Sequence, residues 1–272
     1  MSNINYLKLN LSSYLPALME YTTDIDIDWD SIDKRMKNEY DKRIAELKKK
    51  NNESIKVQAT IYDIIIEAKK DNKQAIRYLH FMNSLFSELT LNIDATERKI
   101  LKKNIENFLN QMNMDYVNYL GEIAVINNLL AQKTYKLEGI EEPISNGKNI
   151  DFKLRKISDN TIVLLEIESI HLDDDRVEDD EEKIRTFITG RFMRKINKKK
   201  SNLIHNLDLY FVFVMWGGWK SLKIYSDYFK NNKTNIENVH EPVAYLLFSN
   251  DDTGFFVNRF GKVSNLFKPF DL

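Results

Sequence analysis

Through residues 1–114 apolar positions recur at three- and four-residue intervals, the spacing that places them on one face of a helix. Four amphipathic helices are expected there, running from about Ser31 to Lys50, Glu53 to Lys70, Lys73 to Leu91 and Ala95 to Met112. Asp94 and Glu97 have the spacing of a capping box, in which each side chain satisfies a free amide of the first turn. Asn51-Asn52 and Asp71-Asn72 read as breaks between helices. Residues 1–30 carry mixed signals. Leu7, Leu9 and Leu11 alternate like a strand, whereas Tyr14, Leu15, Leu18 and Met19 are spaced like a helix. The acids of Asp24-Ile25-Asp26-Ile27-Asp28 read as a solvated edge or loop.

From residue 115 the pattern changes to short β-type runs alternating with helices. Asp115 can cap a helix reaching about Gln132, and Lys133–Leu137 reads as a short strand. Asn149–Arg155 and Thr161–Glu168 flank the turn-forming Ser158-Asp159-Asn160, so they read as a hairpin. A helix from about Val177 to Lys200 follows. Leu207–Met215 is strongly β and ends at Gly217-Gly218. Further strands are expected at Val243–Phe248 and Phe255–Phe260, with a turn over Asn250–Gly254. The fold class expected is mixed α/β, with residues 1–114 a mainly helical region and residues 115–272 a core with a central sheet. No internal repeat or low-complexity linker interrupts this order.

Composition narrows the chemistry. The chain has 272 residues, 43% of them apolar, enough for a packed core. The formal net charge of −1 leaves any basic surface to be local. The absence of cysteine excludes disulfides and thiolate metal sites and suits a reducing compartment. The start, Met1-Ser2-Asn3-Ile4-Asn5, lacks a signal-peptide pattern, and no apolar run approaches the roughly 20 residues that span a bilayer. A soluble, cytoplasmic protein without a membrane partner is the expectation.

The hairpin carries the most specific signal. In Ile150-Asp151-Phe152-Lys153-Leu154-Arg155 apolar residues take one face and charged residues the other. The strand Ile162-Val163-Leu164-Leu165 is apolar on both faces, as a central strand would be, and then presents Glu166 and Glu168 on one face. A turn centred between Ser158 and Asp159 sets Asp151 opposite Glu166. Centring it between Asp159 and Asn160 sets Asp151 opposite Glu168. Either register points all three carboxylates the same way. Crowded carboxylates repel one another, so a compensating cation is expected: a hard divalent ion such as Mg²⁺, or the side chains of Lys153 or Arg155. Glu122, on the preceding helix, is a further candidate.

Together these residues resemble the PD-(D/E)XK nuclease superfamily, which includes many restriction endonucleases. Glu122 lies on a leading helix, Asp151 on the second strand and Glu166-Ile167-Glu168 on the third, over roughly residues 115–250. Ile150 replaces the usual proline, and Glu168 stands where the motif normally has lysine. Some restriction enzymes of the superfamily carry Glu there. Otherwise the lysine role falls to Lys183, Lys195 or another residue of the following helix, or the domain has lost catalysis and only binds.

The resemblance implies a restriction-endonuclease-like core and Mg²⁺- or Mn²⁺-dependent hydrolysis of DNA, in a restriction or mobile-element system. It implies Asp151 and Glu166 as metal ligands, Glu168 as the group that positions or deprotonates water, and Glu122 on a second metal or an outer water. A catalytically inactive module binding nucleic acid or a protein is the alternative. An unrelated α+β interaction protein with an ion-pair cluster is a third.

Other features have ordinary readings beside functional ones. Arg191, Arg194, Lys195, Lys198, Lys199 and Lys200 suit a helix C-terminus, the default reading, and beside a nuclease-like site also a phosphate-binding stripe, for which Arg191, Arg194, Lys195 and Lys198 are the candidates. The acids from Asp173 to Asp175 and from Glu178 to Glu182 read as a loop and a helix N-terminus. His171 is near enough in sequence to Glu168 to be a weak site candidate, with a loop role favoured. Trp216-Gly217-Gly218-Trp219 could stack a base, with packing at the core edge favoured. The helical region could read DNA, cover a cleft or build a homodimer.

Overall fold

The computed structural model describes residues 5–49, 59–144, 148–200, 208–232, 236–246 and 260–267. The chain forms two compact units, Met1–Asn127 and Asn128–Leu272. The fold class is mixed α/β.

The first unit is helical. It holds α1 (Tyr6–Tyr14), α2 (Pro16–Tyr21), α3 (Trp29–Lys49), α4 (Ile61–Lys69), α5 (Lys73–Asn92), α6 (Ala95–Ile100), α7 (Lys102–Asn110) and most of α8 (Tyr116–Ala131). The strand-like alternation at Leu7, Leu9 and Leu11 resolves as helix, because Leu7 and Leu11 share the buried face of α1 while Leu9 is exposed. The segment expected as one helix from Ala95 to Met112 is two, meeting at Leu101. The expected capping box is present: Asp94 accepts from the Thr96 and Glu97 amides and Glu97 accepts from the Asp94 amide. Residues 50–58, where a helix was expected to begin, lie outside the described residues. Tyr78, Met82, Phe86 and Leu89 of α5 fill the centre, with Phe108 and Tyr116 ring-to-ring beside Phe86. The contacts divide the chain after Asn127, inside α8, rather than at the expected 114/115 boundary.

The second unit is a six-stranded mixed sheet in the order β1 to β6: β1 (Tyr135–Ile144), β2 (Lys148–Lys156), β3 (Ile162–His171), β4 (Asp208–Gly217), β5 (Val243–Leu246) and β6 (Phe260–Lys262). β1, β2 and β3 form an antiparallel meander, and β3, β4 and β5 run parallel. Parallel neighbours need a crossover. That between β3 and β4 contains α9 (Glu181–Lys200), and that between β4 and β5 contains α10 (Trp219–Asn231). α9 begins at Glu181 rather than near Val177, because Asp180 caps it by accepting the Lys183 amide at 3.0 Å. No helix was expected after Gly218, so α10 is new. The strand expected at Phe255–Phe260 lies, up to residue 259, outside the described residues, as does the turn at Asn250–Gly254.

Helix α9 packs on the sheet through Ile184, Ile188, Phe192 and Ile196, a stripe at four-residue spacing. Phe192 stacks on Phe213 of β4 with ring centroids 3.6 Å apart. In the parallel register Phe213 pairs with Glu168 and Phe211 with Glu166. The stacked phenylalanines therefore hold the last turns of α9 over the acidic end of β3.

Candidate acidic site

The β2–β3 hairpin forms with the first of the two registers considered. Its paired residues run from Arg155↔Ile162 to Phe152↔Leu165, centred between Ser158 and Asp159. Asn160 takes the left-handed conformation at the turn (φ 60°), which asparagine tolerates better than most residues. One further step along this register would set Asp151 against Glu166. There the ladder gives way to a side-chain contact: Asp151 Oδ2 accepts the Ile167 amide at 2.6 Å. Parity thus brings Asp151 and the Glu166–Glu168 segment together, as the sequence implied.

Among the described residues of the unit Glu166 is the most enclosed acid, 1% exposed. Its Oε1 receives two ammonium groups, Lys195 Nζ at 2.7 Å and Lys199 Nζ at 2.9 Å. Its Oε2 is buried without a hydrogen-bond partner. Glu168, about one-third exposed, accepts Lys195 Nζ at 2.6 Å through Oε2. Lys199 Nζ also donates to the Asn149 carbonyl oxygen. The compensating charge therefore comes from α9. Lys153 and Arg155, the alternatives raised by the sequence, pair with Glu142 and Glu138 of β1.

Electrostatics follow from this enclosure. Burial, and after it the charge of Glu166, push the Asp151 carboxyl up to about 7 against the opposing pull of the Ile167 amide, Lys195 and Lys199. Burial alone would lower the Lys195 ammonium, but Glu166 and Glu168 outweigh it and hold the group well above the ordinary lysine range. The site thus combines three carboxylate–ammonium contacts with an acid whose carboxyl is held well above the ordinary carboxylate range.

Among the described residues no three His, Cys, Asp or Glu side chains stand close enough to hold a metal ion. The expected three-carboxylate cluster is thereby not formed: Asp151 feels the charge of Glu166, while Glu166 and Glu168 are both held by Lys195. Two carboxylates with water still suit Mg²⁺, which commonly binds through one or two carboxylates. The orphaned, fully buried Oε2 of Glu166 is the donor such an ion would take, since a buried acceptor left unpaired is costly. Glu122 belongs to the first unit, where the Asn104 amide donates to its Oε2 at 2.7 Å.

The remaining candidates separate into packed and exposed groups. Arg191, Arg194 and Lys198 are exposed on α9, whereas Lys195 turns inward. Trp216 is buried and donates to Ser169 Oγ, and His171 stacks against it at the end of β3. Trp219 is partly exposed and meets Phe267 edge-on. The acidic run has a structural role in two places: Asp180 caps α9, and Asp174 accepts the Ser221 amide at 3.0 Å and its hydroxyl at the start of α10.

The sequence offers Lys199 only as part of a solvated or phosphate-facing helix end, yet a signal for an inward role is present. Positions 195 and 199 continue the buried stripe of Ile184, Ile188, Phe192 and Ile196, so lysines fall where apolar residues belong. A lysine on a buried stripe needs an acidic partner, and the acid-bearing end of the hairpin offers one.

No family model matches this chain, and neither does any curated protein or solved structure. Among the described residues no helix is long and apolar enough to cross a membrane.

Proposed function

We propose that the second unit is a metal-dependent nuclease of restriction-endonuclease-like fold that hydrolyses phosphodiester bonds of DNA at Asp151, Glu166 and Lys195. One observation carries the reading: Glu166 is buried with Oε1 on two lysines and Oε2 unpaired, beside a second acid whose carboxyl is raised to about 7. Crowded, incompletely satisfied carboxylates are expensive in a scaffold and useful in a site that takes a cation.

Asp151 and Glu166 would hold Mg²⁺ or Mn²⁺. Bound there, the ion would polarise the scissile phosphate and lower the pKa of a water molecule. Lys195, arriving from α9, takes the place of the lysine absent at position 168. Its ammonium supplies positive charge where negative charge develops on the phosphate. Glu168 is the more exposed acid of β3 and can orient water or accept its proton. Arg191, Arg194 and Lys198 give α9 an exposed basic face suited to the phosphate backbone. Glu122 has no part in this proposal.

A second reading is favoured by one feature of the same site. Lys195 and Lys199 already neutralise Glu166 and Glu168, which is how a nuclease fold without catalysis would stabilise its acids while binding nucleic acid. Incubating plasmid, single-stranded DNA and RNA with the protein and Mg²⁺ or Mn²⁺ separates the two. Metal-dependent cleavage lost in Asp151→Ala supports the nuclease. Binding without cleavage supports the second reading, and neither activity on any substrate sinks both.

A further inference from the structure

We infer that Lys199 is a positioning residue that fastens the Asp151 end of β2 to the Glu166 segment of β3. The hairpin's paired register stops at Phe152↔Leu165, just short of the acids. Beyond that point two side chains join the strands. Asp151 Oδ2 takes the Ile167 amide, and Lys199 Nζ spans from the Asn149 carbonyl on β2 to Glu166 Oε1 on β3. Backbone pairing normally fixes the separation of opposed residues. Here an ammonium group from α9 performs that task.

Two neighbouring lysines divide the work. Lys195 touches Glu166 and Glu168, both on β3, and reaches Asp151 of β2 through its charge alone. Lys199 touches both strands and is the more enclosed, its side chain 10% exposed against 16% for Lys195. An ammonium has three donors, and Lys199 commits two of them across the gap. Because it lies seven residues after Phe192 on the stripe that packs against β4, the packing of α9 sets where the tether ends. The consequence for a cation site, namely that Lys199 sets the gap between its two carboxylates, rests on the function proposed above. The tether itself does not.

The test is hydrogen exchange of the Ile167 amide, followed by NMR on the full chain without added metal. That amide is held by Asp151 and reports whether the β2 end stays docked. Lys199→Met should accelerate its exchange roughly tenfold or more, the scale of a lost charge-assisted bond, while amides within the β3–β4 ladder stay protected. Lys199→Arg should recover much of the protection, and Lys195→Met, which removes a charge but no strand-to-strand contact, should cost clearly less of it than Lys199→Met. A through-hydrogen-bond coupling between Lys199 Nζ and the Asn149 carbonyl carbon in the wild type tests the contact without any variant. Unchanged Ile167 exchange in Lys199→Met, or no such coupling with both resonances visible, overturns the inference whatever the cleavage assay gives. A confirmed tether in a protein that neither cleaves nor binds nucleic acid would sink the function and keep the tether.

Discussion

Lys195 Nζ lies 2.7 Å from Glu166 Oε1, and the same ammonium stands 2.6 Å from Glu168 Oε2. One helix-borne lysine thus bridges both acids of the Glu-x-Glu on β3. In the function proposed above, the bridge would supply the positive charge that a glutamate at position 168 does not. It also means that these acids are a coupled unit, so substitutions among them will not act independently.

Replacing Glu166 should expose that coupling first. Glu166→Ala leaves two inward-facing ammonium groups without their shared carboxylate, and breaking a buried pair on one side costs about 3–5 kcal/mol. Urea denaturation should show a correspondingly lower midpoint. A midpoint equal to wild type would mean that Lys195 and Lys199 reach water and that the ion pairs contribute little.

Asp151 gives a pH-dependent prediction. Its carboxyl is raised from 3.8 to about 7 in the folded protein, first by burial and then by Glu166. Between those values the folded chain binds the extra proton, so stability from this group is greatest below pH 4 and is lost as pH rises through about 7. Asp151→Asn cannot ionise, and its amide oxygen can still accept the Ile167 amide. In metal-free protein it should therefore stabilise the fold above pH 7, on the order of 2–4 kcal/mol, and change little at pH 4. Thermal melts of both proteins across this range check it; a constant difference in melting temperature with pH would contradict the raised carboxyl.

Gly218 supplies a third prediction, away from the acids. A methyl group there would collide with the Asp174 carboxylate. Asp174 cannot simply swing aside, because it holds the Ser221 amide and hydroxyl at the start of α10. Gly218→Ala should destabilise the protein by about 1–3 kcal/mol, the usual cost of overpacking. An unchanged denaturation midpoint would show that the Asp174 contact is dispensable.

Strand parity makes the acidic site legible in the sequence. Opposed positions share a face, so Asp151 has to meet the Glu166–Glu168 side whichever of the two registers forms. The source of the compensating charge is harder to read. Lys153 and Arg155 of the hairpin lie close in sequence but pair with β1, whereas Lys195 and Lys199 arrive from a helix whose docking depends on the Phe192–Phe213 stack. Nothing local in the lysine-rich end of that helix distinguishes an inward lysine from a solvated one except its place on the buried stripe. Helix α10 is masked in the sequence because Gly217-Gly218 ends β4 so plainly, although Leu222, Tyr225 and Tyr228 recur on its buried side. At the other end of the chain, Leu7, Leu9 and Leu11 show that alternation over a few residues does not separate strand from helix, and the burial of Leu7 with Leu11 decides for helix.

The central claim, a cation site formed by Asp151 and Glu166, is tested most directly by titrating the metal-free protein with Mn²⁺ near pH 8 and measuring bound ion by electron paramagnetic resonance. The account predicts a saturable Mn²⁺ site in the wild type whose affinity falls at least about tenfold in Asp151→Asn, as loss of a ligand charge requires. Saturable binding that Asp151→Asn leaves unchanged, or no saturable binding in the wild type, would contradict it.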